Sequence, residues 1–397
     1  MRYLFTSMPV SSHLMPLIPT AHAALAAGHE VLVATCGPAE RTATAAGLVT
    51  VRAGADRRAR EPYDALLRTL EESGAGSAPD DETSLAVHGR AFGEVGARML
   101  DDLVDIARAW GADAVVYPAI HAAALVAARA VGAAGVLHGY GTPLPTFGPA
   151  LDHLAPHAAR AGVDKVTEAE IEIDVLPGSL ATFTDVPTAI GRPAHRLPMR
   201  YGCFNNGGTL PRWVLRRGSD AGGPPRIVAT CGSSPAMTRG GALYRDIVLA
   251  TGELGAELVL LTAGADLPHL PDELPPHVRP ERWVPLRELL DGCDAIVHHG
   301  GSGTVLSSFA AGMPQVSLPM PGTVNVSNAR TVADRGAGRT LDIDASGPGA
   351  VSDALTWALE DPEPRRAARE VAAEMAAMPT PAAVVERMSG LLAAGRT

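Results

Sequence analysis

IVHHGGSGTVLSSFAAG, residues Ile296 to Gly312, reads as a buried strand, a tight glycine turn and the start of a helix. The apolar run ends in His298 and His299. Four small residues, Gly300 to Gly303, follow, and Thr304 opens a segment with helical apolar spacing. A helix N-terminus carries backbone N–H groups without intrahelical partners and the positive end of the helix dipole, so it suits a phosphate. Glycines let the main chain approach the anion closely. No Lys or Arg occurs between Ala295 and Asn328, so binding here rests on backbone donors, hydroxyls and imidazole. The stretch predicts a site for a nucleotide or another phosphorylated ligand.

The same strand-and-helix grammar runs along the whole chain. Tyr3–Ser7, Val31–Thr35, Asp113–Tyr117 and Gly135–His138 read as strands, with helices over Leu14–Ala27 and Ala119–Val131. It restarts at Arg226–Thr230 and continues through Leu258–Thr262, Ala295–His298 and Gln315–Leu318. Such alternation implies parallel sheets with right-handed crossovers. Residues 205–225 are rich in Gly, Pro and Arg and read as a linker. The expected organisation is one doubly wound α/β domain over 1–205, a linker over 206–222, a second such domain over 223–375 and a C-terminal segment over 376–397. In that segment Pro381–Ala394 reads as a helix with Thr380 as its N-cap. Residues 57–81 are polar, with Gly and Pro clustered from 74 to 79, and read as a mobile loop, either a surface insertion or a wall of a binding cleft.

Composition narrows the function classes. The 397 residues suffice for two domains, and with aromatics at 4% the core must be built from Ala, Val and Leu. A net charge of −10 argues against nucleic acid, whose phosphate backbone needs a basic surface. The opening MRYLFTSMPVSSHLMP reaches Pro9 and Ser11 too soon for a secretory leader, and no window reads as a membrane span. Cys36, Cys203, Cys231 and Cys293 are far apart and without a C-x-x-C, which suits buried thiols in a reducing cytoplasm, not disulfides or zinc.

In open parallel sheets ligands bind beyond the carboxyl ends of the strands. Four turns fall there: Ser7–His13, Gly232 to Ser234, His299–Thr304 and Pro319–Asn328. The second and third suit a pyrophosphate. Trp283, just upstream of the third, either packs or stacks on a nucleobase. The third turn is not a dinucleotide fingerprint: Leu306 stands where a third Gly or Ala is needed, and no acid follows at the distance of a ribose contact. No G-K-[ST] occurs, and the single D-x-D, residues 342–344, reads as structural or solvated. His13, between the first strand and a helix, would resist protonation and suit a general base.

Taken together these residues resemble the antibiotic-type glycosyltransferases of family 1, which have the GT-B fold: two Rossmann-like doubly wound domains facing a cleft. The likeness spans nearly the whole chain. The opening MRYLFTSMPVSSHLMPLIPTAHAALAAGHEV is similar to their first strand and helix, DVLPGSL and MRYGCFNNGGTLPRW to their interdomain approach, and REVAAEMAAMPTPAAVVERM to their ending. WVPLRELLDGCDAIVHHGGSGTVLSSFAAGMPQVSLP, Trp283 to Pro319, is the most specific match. The resemblance implies an acceptor-binding first domain, a nucleotide-sugar-binding second domain, and a C-terminal helix crossing back to the first. It implies that Trp283 stacks on the base and Val284 contacts it through its backbone. His299 would bind the diphosphate, with Gly300, Gly301, Ser302, Gly303 and Thr304 around it. Gly232, Ser233 and Ser234 would close over the phosphates, and His13 would deprotonate the acceptor.

Two departures refine this. Many relatives carry an Asp-Gln pair that holds sugar hydroxyls; here the sugar-facing positions are Val324 and Asn325, which suggests a donor lacking hydroxyls there. Many also carry an Asp orienting the histidine, where this chain has Pro118; His121 or His138 would have to substitute. The expected activity is inverting, metal-independent and cofactor-free transfer of a deoxysugar from a TDP- or UDP-sugar to a hydrophobic, polyketide-like aglycone. A sugar-nucleotide 2-epimerase and a non-catalytic partner subunit are the alternatives. No readable pattern encodes the oligomeric state, and a homodimer is allowed.

Overall fold

The computed structural model describes residues 1–73, 82–141, 145–183, 193–215, 222–232, 238–264, 270, 273–320, 323–342 and 346–395. Contacts divide the chain into two units. Among the described residues, the first takes in Met1–Ser73, the stretch from 82 to Asn206 and the stretch from Ala377 on; the second takes in Gly207–Ala376.

The first unit is built on a seven-stranded sheet: β1 (Arg2–Thr6), β2 (Glu30–Thr35), β3 (Thr50–Arg52), β4 (Ala114–Pro118), β5 (Ala134–His138), β6 (Ile171–Asp174) and β7 (His195–Pro198). Every pairing is parallel, in the order β3-β2-β1-β4-β5-β6-β7. β4 is buried along its whole length, as a strand covered by helices on both faces must be. Its cover includes the helix Ala122–Val131, whose first seven residues are all buried. The core here is largely alanine, so helix and sheet approach closely. The helix Pro381–Ala394 packs against Ile18–Ala26 in this unit, and its Ser389 hydroxyl bonds Tyr3 at 2.7 Å and His29 at 2.9 Å. Thr380 caps it, its hydroxyl accepting from the Ala383 N–H at 3.3 Å.

The second unit holds six parallel strands: β8 (Arg226–Thr230), β9 (Glu257–Leu261), β10 (Val278–Glu281), β11 (Ala295–His298), β12 (Gln315–Ser317) and β13 (Gly338–Thr340). Their order, β10-β9-β8-β11-β12-β13, is that of a dinucleotide-binding sheet. Each sheet reverses its winding once, between β1 and β4 and between β8 and β11. The crevices beyond those strand ends are where such folds hold ligands.

Three expectations need correction. The stretch expected to be a loop over 57–81 is, as far as it is described, the helix Asp56–Ser73. Its charge hides an apolar stripe: Ala59 and Leu66 are buried, and Tyr63 and Leu70 pack partly against the same core. The remainder, 74–81, lies outside the described residues. Leu14–Ala27 is not one helix but Ser11–Leu14, a 3₁₀ turn Met15–Leu17 and Ile18–Ala26, with Pro16 and Pro19 at the junctions. The helix expected from Ala119 begins at Ala122, so His121 is the residue before its first turn.

Candidate active site

At the end of β11 the chain turns through His299, Gly300 and Gly301 into the helix Ser302–Ala310. The turn is tight because side chains are absent where others crowd in. Gly300 has φ +90°, and a Cβ there would lie 2.5 Å from the Asn325 carbonyl oxygen. A Cβ on Gly301 would come within 2.6 Å of the His299 ring, and one on Gly232, at the end of β8 with φ +83°, equally within 2.6 Å. The imidazole therefore fits against two glycines, one from each strand flanking the reversal point.

Several surrounding bonds hold this arrangement. The buried His298 accepts from the Gly300 N–H through Nδ1 at 3.0 Å and donates through Nε2 to Gln315 Oε1 at 2.9 Å. Asn328 donates to the Gly300 carbonyl at 2.7 Å and to Ser302 Oγ at 3.0 Å. The Met320 N–H bonds the His299 carbonyl at 3.2 Å. Burial pushes the His299 pKa down to about 4, partly offset by the Thr230 backbone, so the ring is neutral at physiological pH. Its Nδ1 is buried and has no hydrogen-bond partner among the described residues.

The sequence-expected donors now separate by role. The Gly300 N–H is committed to His298 and the Gly232 N–H to Thr230 Oγ1 at 3.1 Å, so these glycines shape the site rather than donate to a ligand. Ser302, Gly303 and Thr304 form the first turn of the helix, whose N-cap, Gly301, has no side chain to cap it, so their N–H groups lack intrahelical partners and suit an anion. The helix starts two residues before Thr304, where the apolar spacing had placed it. Trp283 lies between β10 and the helix Leu286–Leu290 and is 37% exposed, unlike the buried Val284 beside it. Val324 and Asn325 lie in the first turn of the helix Thr323–Asp334. The Asn325 amide donates to the Met320 carbonyl at 3.3 Å. Ser233 and Ser234 lie outside the described residues.

In the first unit, His13 falls in the short helix after β1. Tyr63 meets its ring edge-on at 5.6 Å between centroids, and Tyr140 lies at 6.0 Å. Its Nδ1 is buried and has no partner among the described residues. Burial, and then the charge of Arg60, lower its pKa to about 3; the cause is desolvation rather than the helix terminus. His121 follows β4, so it shares the reversal point with His13. Its Nε2 bonds Thr6 Oγ1 at 3.3 Å, and its Nδ1 is buried and has no partner among the described residues. His138 is different: Nε2 bonds Thr20 at 2.8 Å and Nδ1 the Gly139 carbonyl at 2.6 Å. With both nitrogens committed, it has none to offer a substrate proton or His13.

Two parallel sheets of this order, each with a histidine at its reversal point and one with a glycine turn opening a helix, define a GT-B glycosyltransferase. The chain belongs to the erythromycin biosynthesis protein CIII-like family. That family's N-terminal domain matches residues 22–232 and its C-terminal domain residues 245–391. The elloramycin glycosyltransferase ElmGT of Streptomyces olivaceus is 34% identical over 98% of this chain and 97% of its own length. A 10-deoxymethynolide desosaminyltransferase of Streptomyces venezuelae is 32% identical over 100% and 98%. Among solved structures, the glycosyltransferase SnogD from Streptomyces nogalater superposes with a TM-score of 0.81 at 30% identity, covering 99% of both chains. The Streptomyces glycosyltransferase SsfS6, complexed with thymidine diphosphate, gives 0.79 at 27% identity, covering 98% and 99%.

The structure also brings forward residues that the sequence did not single out. Asn328 ties the glycine turn to the following helix, and Gln315 fixes the His298 tautomer; both are fully buried polar side chains. A glutamine opening an apolar strand was the available signal, since a buried amide requires a partner. Tyr63 and Tyr140 reach His13 from distant segments, and nothing in local spacing announces that.

Proposed function

We propose that this protein transfers a deoxysugar from a TDP- or UDP-sugar to a polyketide-like aglycone, with inversion and without a metal. The carrying observation is the His299 ring set against Gly232 and Gly301 beside an uncapped helix N-terminus at the β8/β11 reversal. The diphosphate is received by the N–H groups of Ser302, Gly303 and Thr304 and by His299, and Trp283 takes the base. These donors stabilise the charge that grows on the diphosphate as the sugar leaves. Among the described residues no group of three or more His, Cys, Asp or Glu is placed to hold a metal ion.

The acceptor binds in the first unit, where His13 faces its hydroxyl. That oxygen attacks the sugar's anomeric carbon directly, giving inversion. Val324, in place of an acid, supports a sugar lacking the hydroxyls an acid would hold. Among the relatives named above are an elloramycin glycosyltransferase and a 10-deoxymethynolide desosaminyltransferase, and SsfS6 is complexed with thymidine diphosphate, in keeping with this reading. Incubation with TDP-deoxysugars and aglycones in EDTA, read by mass spectrometry, tests it. Product carrying one added sugar is expected; product that forms only with a divalent ion overturns the metal-free step. No helix among the described residues is long and apolar enough to cross a membrane.

A further inference from the structure

The surroundings of His13 bear on what kind of hydroxyl can react there. The Arg60 guanidinium carbon lies 6.0 Å from the Tyr63 ring centroid. Arg60 bonds Asp64 through Nε at 2.8 Å, and its other donors have no partner among the described residues. On Gly37–Ala45, the helix packed against His13's own, Glu40 is engaged by Arg52 and Arg41 is exposed. At the end of β4, where a carboxylate would face the histidine, stand Pro118 and the neutral His121. Among the described residues the charge bearing on the His13 ring is that of Arg60, itself ion-paired with Asp64, and none brings a carboxylate to stabilise a protonated imidazole.

We propose that the acceptor's nucleophile is an acidic hydroxyl, a phenol or an enol, which reacts as its anion with Arg60 as counter-cation and His13 as a neutral positioning residue. This rests on the transferase reading given above. Tyr63 and Tyr140 supply flat apolar walls suited to a planar acceptor. An imidazole whose conjugate acid has a pKa of about 3 is a weak base. An aliphatic hydroxyl, about as weakly acidic as water, would hardly release a proton to it. A phenol, near 10, ionises in part without its help. In the reaction the acceptor's proton has already left to solvent. A lone pair of the phenolate oxygen forms the new bond to the anomeric carbon. The bond from that carbon to the diphosphate oxygen breaks, and its electron pair departs with the diphosphate. Arg60 remains protonated throughout.

The test uses ring-substituted phenols of graded acidity beside an aliphatic alcohol of similar size, with wild type, Arg60→Gln and Arg60→Lys. Wild-type kcat/KM is expected to rise as the phenol's pKa falls toward the assay pH. The alkaline rise of the pH profile should move with each acceptor's own pKa. Arg60→Gln should raise the phenol KM about tenfold or more, as loss of a hydrogen bond to a charged group does, and Arg60→Lys should restore most of it. TDP affinity should be the same in all three proteins. Equal rates on the aliphatic alcohol, a rise fixed at one pH for every acceptor, or an unchanged phenol KM in Arg60→Gln would overturn the inference while leaving the transferase reading intact. Absence of both product and TDP binding in the wild type would instead overturn that reading, and the inference with it.

Discussion

Among the described residues, the His13 imidazole has two tyrosines beside it, an Nδ1 without a partner and no carboxylate. With a pKa pushed down to about 3, it stays neutral across the working pH range, so no histidine-like inflection near 6.5 should appear in the rate profile. His13→Ala should slow transfer by about 10² or less, at the low end for general-base groups, with TDP affinity unchanged. His121→Ala should cost less, through loss of the Thr6 contact and of packing around His13. His138→Ala should show its effect in stability, because the buried Thr20 hydroxyl and the Gly139 carbonyl each lose a bond. Steady-state kinetics and thermal melts on the three variants check this. A rate loss largest in His138→Ala would move the functional histidine. His13 could be picked out from its position after the first strand; its surroundings could not, because Tyr63, Tyr140 and Arg60 come from other segments.

Among the elements, the glycine turn carries the most function per residue. Gly301→Ala and Gly232→Ala would each place a methyl group 2.6 Å from the His299 ring, and Gly232 also has φ +83°. Each should cost about 1–3 kcal/mol of stability, the range for overpacked sites, and weaken TDP binding. Gly349→Ala, where a Cβ meets nothing within 4 Å, is the control and should be neutral or stabilising. Chemical denaturation and TDP titration measure both effects; a Gly301→Ala protein that binds TDP like the wild type would mean that the ring's fit against the turn is incidental. Elements buried on both faces were legible in the sequence: Arg226–Thr230 and Ala295–His298 have the expected limits because a continuous apolar run has few other readings. Pro381–Ala394 was legible from its cap and proline. Thr50–Arg52, His195–Pro198 and Gly338–Thr340 were not, since three or four largely polar residues become strands only by pairing with a neighbour. The helix Asp56–Ser73 was hidden by its charges, although Ala59, Tyr63, Leu66 and Leu70 keep helical spacing.

Over the molecule as a whole, five histidines are held neutral by burial: His13, His121 and His298 at about 3, His138 and His299 at about 4. Above pH 6.5 folded and unfolded chains both carry them neutral, and stability is at its full value. As pH falls below 6.5 the unfolded chain takes up protons that the folded chain refuses until about pH 4 to 3. Stability therefore declines through that window, by about 1.4 kcal/mol per pH unit for each such histidine. Scanning calorimetry should show melting temperatures falling steadily from pH 7 to pH 5; an unchanged melting temperature would mean that these rings accept protons in the native fold. Three of the five lie in the first unit and two in the second, so both units should share the acid sensitivity. The central claim, that His299 and the glycine turn of the second unit receive a nucleoside diphosphate, is tested most directly by titrating TDP into the intact protein in a calorimeter with EDTA present. The wild type should give a saturable one-site isotherm, and His299→Ala should weaken it roughly 10- to 100-fold, the worth of a hydrogen bond to a charged group. Binding that appears only when magnesium is added, or a His299→Ala protein that binds TDP as tightly as the wild type, would contradict the account.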